Sequence, residues 1–184
     1  VSRARLYSGL DVHSDFGGRF PWTSRYVRHD DGVQQAFVDE GPFAGPFTFV
    51  LLHGNPTWSF LYRHFIARLS TVYRVIAVDH VGFGRSDKPE DPGYYTIERH
   101  IANLDDVLDD AEPGQVVLVL HDWGGPIGMG WAVQQPERIA GIVVLNTFAF
   151  VQDPPIELPW LFRWLVLGPR GWNRVMRKNL FVEL

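Results

Sequence analysis

The chain has 184 residues, enough for one domain with a sizeable core, and its 46% hydrophobic and 21% charged residues are ordinary for a globular protein. A formal charge of −4 argues against nucleic acid or an anionic membrane surface as partner. The absence of cysteine excludes disulfides, thiol catalysis and cysteine-ligated metals, and fits a reducing, cytoplasmic setting. The longest apolar stretches are too short to span a bilayer, and no secretory signal is visible at the start, although the chain opens at Val1 without methionine.

In chain order, residues 1–20 show no sustained period and read as a surface arm. Residues 22–28, the turn Asp30-Asp31-Gly32 and residues 33–39 predict a β-hairpin. After a loop at 41–46, residues 47–52 form the continuous apolar run expected of a strand covered on both faces of a parallel sheet. Helical spacing over 58–69, with Thr57 as cap, is followed by a strand at 73–78, which completes a βαβ unit. Residues 97–108 are amphipathic, with Ile101, Leu104 and Leu108 on one stripe and acids on the other face, and Pro113-Gly114 ends the helix. A run of β-branched residues and leucines from Val116 then meets a glycine turn, a helix runs to Gln135, and 139–145 predicts a further strand. The alternation predicts a mostly parallel, doubly wound α/β sheet. Past Asp153-Pro154-Pro155, aromatic-rich helical patterns at 160–167 and 172–180 divide the chain into a core, 1–152, and the beginning of a helical cap, 153–184.

Three of these strands end in glycine-bearing turns: His53-Gly54-Asn55-Pro56, the stretch from Asp79 through Gly82 and Gly84 to Ser86, and Asp122-Trp123-Gly124-Gly125. Open α/β sheets bind ligands at that edge. Asp122 stands where its strand stops, so the backbone can turn tightly beneath an outward-facing carboxylate, which is a nucleophile elbow with aspartate in the nucleophile's place. An aspartate there can equally serve as a helix N-cap, and it is the company of the other two turns that favours the elbow.

Several residues carry plainer expectations. Gly82 and Gly84 read as turn glycines, Met129 and Trp131 as core, and His53 and His121 as structural. Asp105, Asp106, Asp109 and Asp110 have no histidine at ligand spacing and read as a solvated helix face, so no metal site is expected. Trp160, Phe162, Trp164 and Trp172 suit either a substrate pocket or cap packing.

The ordered set HGNPTW at 53–58, DHVGFGRSDKP at 79–89 and HDWGG at 121–125 resembles the haloalkane dehalogenases of the α/β-hydrolase superfamily, and the likeness runs from Trp22 onward. Each motif is shared with relatives such as epoxide hydrolases, and it is Asn55 together with Trp123 that points to halide. The resemblance implies an α/β-hydrolase fold with a helical cap and with its last strands beyond Leu184. It assigns Asp122 as nucleophile, the Asn55 amide and Trp123 indole as halide donors, and the backbone N–H groups of Asn55 and Trp123 as the oxyanion hole. The implied reaction is hydrolysis of a haloalkane to alcohol and halide, with water as co-substrate and no cofactor.

The chemistry suits those residue types. An aspartate, with a reference pKa of about 3.9, is already ionised at neutral pH and needs no base to attack an sp³ carbon. A halide departing into an apolar pocket needs fixed N–H donors. Hydrolysis of the resulting ester needs a histidine base and its acid. By resemblance the histidine lies beyond Leu184, and Asn146-Thr147 stands where some dehalogenases carry the acid. The remainder is therefore expected from further sequence or from a second chain, and this chain alone should be alkylated without turning over. It should also present an apolar sheet edge. An epoxide hydrolase would use the same Asp122 but needs cap tyrosines, whereas Tyr94 and Tyr95 precede the nucleophile. A non-catalytic module that keeps the elbow is the other alternative.

Overall fold

A computed structural model describes residues 14–148. Six strands, β1 (Arg25–Arg28), β2 (Gln34–Glu40), β3 (Thr48–Leu52), β4 (Arg74–Val78), β5 (Val116–Asp122) and β6 (Ile139–Thr147), form one sheet in the order β1-β2-β4-β3-β5-β6. The β1–β2 hairpin is antiparallel and joins β4 antiparallel, while β4, β3, β5 and β6 run parallel. The parallel connections carry α1 (Arg63–Leu69), α2 (Ile97–Ala111) and α3 (Gly124–Gln134). This is the mixed, mostly parallel doubly wound sheet that the alternating sequence pattern predicts.

Strand alternation sorts the apolar side chains between two cores. Val50, Leu52, Ile76, Val78, Leu118 and Leu120 face α2 and α3, where Leu104, Val107, Leu108, Ile127 and Trp131 complete a buried cluster. Leu51, Val75, Ala77 and Val119 face the other way, onto Tyr62 and Ile66. Because consecutive side chains on a strand point to opposite faces, a strand with helices on both sides is apolar on both, and β3 and β4 are so after their first residues, Thr48 and Arg74. Trp131 lies in the core as expected, with its indole Nε1 donating to Asp105 at 2.8 Å, and Met129 packs at the cluster's margin.

The structure corrects several local expectations. Residues 14–20 are not a free surface arm: Phe20 is fully buried, with its ring against Trp22, Trp58 and Phe60, because four aromatic rings remove more apolar area from water together than apart. Thr57 does not cap a helix. A 3₁₀ turn, Ser59–Tyr62, precedes α1; Thr57 Oγ1 instead closes the turn by donating to the Gly54 carbonyl, and the free N–H of Ser59 is taken by Asp79 Oδ1 at 2.8 Å. The cap thus comes from another strand end. On α2 the buried face is His100, Asn103, Leu104, Val107, Leu108 and Ala111, with Ile101 only half-buried.

Nor are the acids of α2 merely solvated. Besides Asp105, Asp106 meets the buried His29 Nδ1 at 2.6 Å, Asp109 pairs with Arg138 and Asp110 with Arg25. No cluster of metal-ligating side chains is found among the described residues. β6 runs on to Thr147, two residues past the expected end, so Asn146 lies within the strand, at a register shift and with φ +41°. β6 is an edge of the sheet among the described residues, and Ile142, Val143 and Val144 are exposed on it. The same residues contain no helix long and apolar enough to cross a membrane. The expected cap, 153–184, with Trp160, Phe162, Trp164 and Trp172, lies outside the described residues.

Candidate active site

The three glycine turns meet at the C-terminal ends of β3, β4 and β5, on either side of the point where successive crossovers switch faces of the sheet. At the end of β5 the chain reverses directly into α3. Asp122 takes φ +51°, a left-handed conformation that non-glycine residues seldom adopt, and Trp123 is already helical at φ −62°. So tight a turn brings α3 against the neighbouring strand, and a β-carbon on Gly124 would collide with the Leu52 carbonyl. Thr147 Oγ1, at the end of β6, donates to the Asp122 carbonyl and holds the turn from the other side.

The Asp122 carboxylate is half-buried and lies over Gly54, where a β-carbon would occupy the same space as Oδ1. That oxygen accepts the Asn55 backbone N–H at 2.8 Å. The Asn55–Pro56 peptide is cis, and the Asn55 side chain is exposed. Trp123 is 44% exposed, and its ring meets Phe148 edge-on with centroids 5.4 Å apart.

Asn55 and Trp123 line one cavity of about 310 Å³, together with Gly54, His80, Gly82, Phe83, Tyr95, Ile97, His100 and Ile127. Asp122 is not among the lining residues, but its carboxylate rests on two that are, Gly54 and Asn55. The structure thus brings together the three residues that the sequence singled out. Among the described residues no histidine bonds to the Asp122 carboxylate.

His53 and His80 form the floor beneath the β3 turn. His53 Nδ1 donates to the Gly54 carbonyl at 2.9 Å, its Nε2 accepts the His80 N–H at 3.0 Å, and His80 Nε2 returns a bond to the His53 carbonyl at 3.1 Å. Burial pushes His53 down to about 4, partly offset by its bond to Gly54. Burial, then the neighbouring His53 and His100, hold His80 well below the ordinary histidine range. The two rings are therefore neutral braces that lock the Gly54–Asn55 turn to the end of β4, and His53 has the structural part expected of it. His121 is half-buried at the end of β5, with Nδ1 unpartnered among the described residues.

Asp79, fully buried, organises the β4 turn. Burial raises its carboxyl, opposed by bonds from the Arg85 and Ser59 backbone N–H groups at 2.9 and 2.8 Å. Gly82 and Gly84 take φ +97° and +50° in that loop, as turn glycines do.

Sequence reasoning passed over His80 and His100. The signal for His100 was present: a polar residue one turn before Leu104, at a core position of an amphipathic helix. Tyr95, set aside because it precedes the nucleophile, does reach the cavity, but its hydroxyl is committed to the Pro89 carbonyl at 2.6 Å.

A carboxylate on a sharp strand-to-helix turn, above an amide donor and beside an apolar cavity, on a sheet of this topology, is the arrangement of an α/β hydrolase. The family model described as alpha/beta hydrolase fold matches residues 48–182, and the chain belongs to that family. Among curated relatives, it is 46% identical over 157 residues to the cis-3-alkyl-4-alkyloxetan-2-one decarboxylase of Shewanella oneidensis, covering 81% of this chain and 48% of that protein. It is 36% identical over 164 residues to haloalkane dehalogenase 2 of Mycobacterium tuberculosis, covering 89% and 55%. Among solved structures, haloalkane dehalogenase DatA from Agrobacterium tumefaciens C58 superposes with a TM-score of 0.73 at 30% identity, over 88% of this chain and 54% of that one. The chain spans about half the length of the curated relatives it matches.

Proposed function

We propose that Asp122 is the nucleophile of a covalent displacement at an sp³ carbon, and that the reaction is hydrolytic dehalogenation of a haloalkane. The Asp122 carboxylate attacks the carbon, the carbon–halogen bond breaks, and the halide leaves with the bonding electrons toward the Asn55 amide and Trp123 indole. Hydrolysis of the aspartyl ester then yields the alcohol and restores Asp122, with the Asn55 and Trp123 N–H groups stabilising the oxyanion. The observation that carries this reading is the Asp122 carboxylate held by the Asn55 N–H beside a cavity lined by both Asn55 and Trp123. Charge-assisted donors of this kind contribute roughly 1.5–3 kcal/mol each.

No base is found against Asp122 among the described residues, so the ester should accumulate on this chain. Mass spectrometry after incubation with 1-bromobutane checks it: one alkyl adduct mapped to Asp122 and absent from Asp122→Asn is expected. A folded protein with no adduct, or continued release of bromide beyond one equivalent per chain, would overturn the reading.

The identity to the oxetanone decarboxylase favours one second reading of the same carboxylate. Attack of Asp122 on C4 of an oxetan-2-one breaks the ring C4–O bond and frees a carboxylate on C3. Loss of CO₂ then forms the C3–C4 double bond as the aspartyl C–O bond breaks, returning Asp122. That sequence consumes neither water nor a base. Alkene and CO₂ from a cis-3,4-dialkyloxetan-2-one, with no stable adduct, would select it over dehalogenation.

A further inference from the structure

The wall of the cavity built by α2 and the segment before it holds one polar side chain that nothing described so far uses. His100 is 8% exposed, lines the cavity, and forms no hydrogen bond through either ring nitrogen to any described residue; its Nδ1 is buried without a partner. No neighbour serves it. Tyr95 spends its hydroxyl on Pro89, His80 Nε2 is bound to the His53 carbonyl, and His80 Nδ1, also without a partner among the described residues, makes no bond to it. The rings of Tyr95 and His80 stand 6.3 and 5.7 Å away, and Phe83, Ile97 and Ile127 are apolar.

Leaving a buried polar group unpaired is destabilising, and an apolar residue at this core position of α2 would avoid that cost. We propose that His100 is a specificity-determining residue of the cavity, hydrogen-bonding a neutral oxygen, hydroxyl or carbonyl, carried by the substrate away from the carbon that Asp122 attacks. The proposal rests on the reading of Asp122 as nucleophile. Burial and the nearby His53 hold His100 at about 4, so at neutral pH it offers one donor and one acceptor, which suits a hydroxyl and gives an anion no ion pair. The preferred electrophile is then bifunctional, with a leaving group at one point and a neutral oxygen at another.

Two measurements on the same chain test this. In protein with ¹⁵N-labelled histidine, 1-hexanol should shift the His100 ring nitrogens, while hexane at equal occupancy should not. In the second, Asp122 alkylation is timed with ω-bromoalkan-1-ols of two to six carbons and with bromoalkanes carrying methyl in place of hydroxyl. A preference of up to about tenfold for one hydroxyl length is expected, the worth of one hydrogen bond. It should be abolished in His100→Phe and partly kept in His100→Gln. A hexanol shift without any Asp122 adduct would leave the subsite standing and overturn the nucleophile. Adducts formed with no hydroxyl preference, or with one that both variants keep, would overturn the subsite, and an unshifted His100 in the native chain would do so even if His100→Phe failed to fold.

Discussion

The backbone N–H of Asn55 donates to Asp122 Oδ1 at 2.8 Å, joining two residues 67 positions apart. They stand at the ends of adjacent parallel strands, with Leu52 opposite Leu120, so the bond is set by strand register and not by either loop alone. It fixes one carboxylate oxygen, and in the proposed reaction the other attacks the electrophile. The contact needs a glycine beneath it, since any β-carbon on Gly54 would displace the carboxylate.

Gly54→Ala should therefore slow Asp122 alkylation by about 100-fold, the usual consequence of misplacing a reacting atom by about 1 Å, while the protein stays folded. Adduct formation timed by mass spectrometry, with circular dichroism as the control, checks this; an unaltered rate would remove Gly54 from the site.

Phe20→Ala should destabilise the fold by about 3–5 kcal/mol, the ordinary cost of emptying a buried aromatic position. Urea unfolding measures it. A loss under 1 kcal/mol would mean that residues 14–20 lie loosely on the surface after all.

Trp131 and Asp105 hold α3 to α2 through one charge-assisted hydrogen bond. Trp131→Phe and Asp105→Ala should each destabilise, the bond itself being worth about 1.5–3 kcal/mol, and in a double-mutant cycle the second change should cost little once the first is made. Additive effects would show the bond to be incidental.

Acid should weaken this fold through its buried imidazoles. In the unfolded chain each histidine takes up a proton near pH 6.5, whereas folded His53 and His100, chiefly through burial, do not until about 4, and His80 is held well below its ordinary value. Between those values the unfolded state binds more protons. Stability contributed here is thus intact above about pH 6.5 and falls as pH drops toward 4, and below that the contributions of His53 and His100 are level. For fully buried His53 the loss is on the order of 3 kcal/mol. Urea midpoints from pH 8 to 4 should fall along this slope, and less steeply in His53→Gln; a flat profile would contradict the neutral, buried state of these rings.

Much of the architecture could be read from the chain itself, because a strand covered on both faces must be apolar throughout and a surface helix must be apolar on one side. Hence β3, β4 and β5, their glycine turns and the sharp reversal at Asp122 were legible as periodicity and turn chemistry, as was the grouping of Asp122, Trp123 and Asn55 by motif. What escaped were contacts between distant segments. Nothing local to Ser59 announces that Asp79 caps it, nothing around Phe20 announces Trp58, and the acids of α2 look solvated until His29, Arg25 and Arg138 are placed beside them.

The sequence by itself determined the order of strands and helices and the kinds of residue at the three strand ends, since those follow from period and from glycine. Only the tertiary structure decided that His80, Tyr95 and His100 share a cavity with Asn55 and Trp123. Sheet order and crossover handedness, not sequence spacing, bring the ends of β3, β4 and β5 and the first turn of α2 to one place.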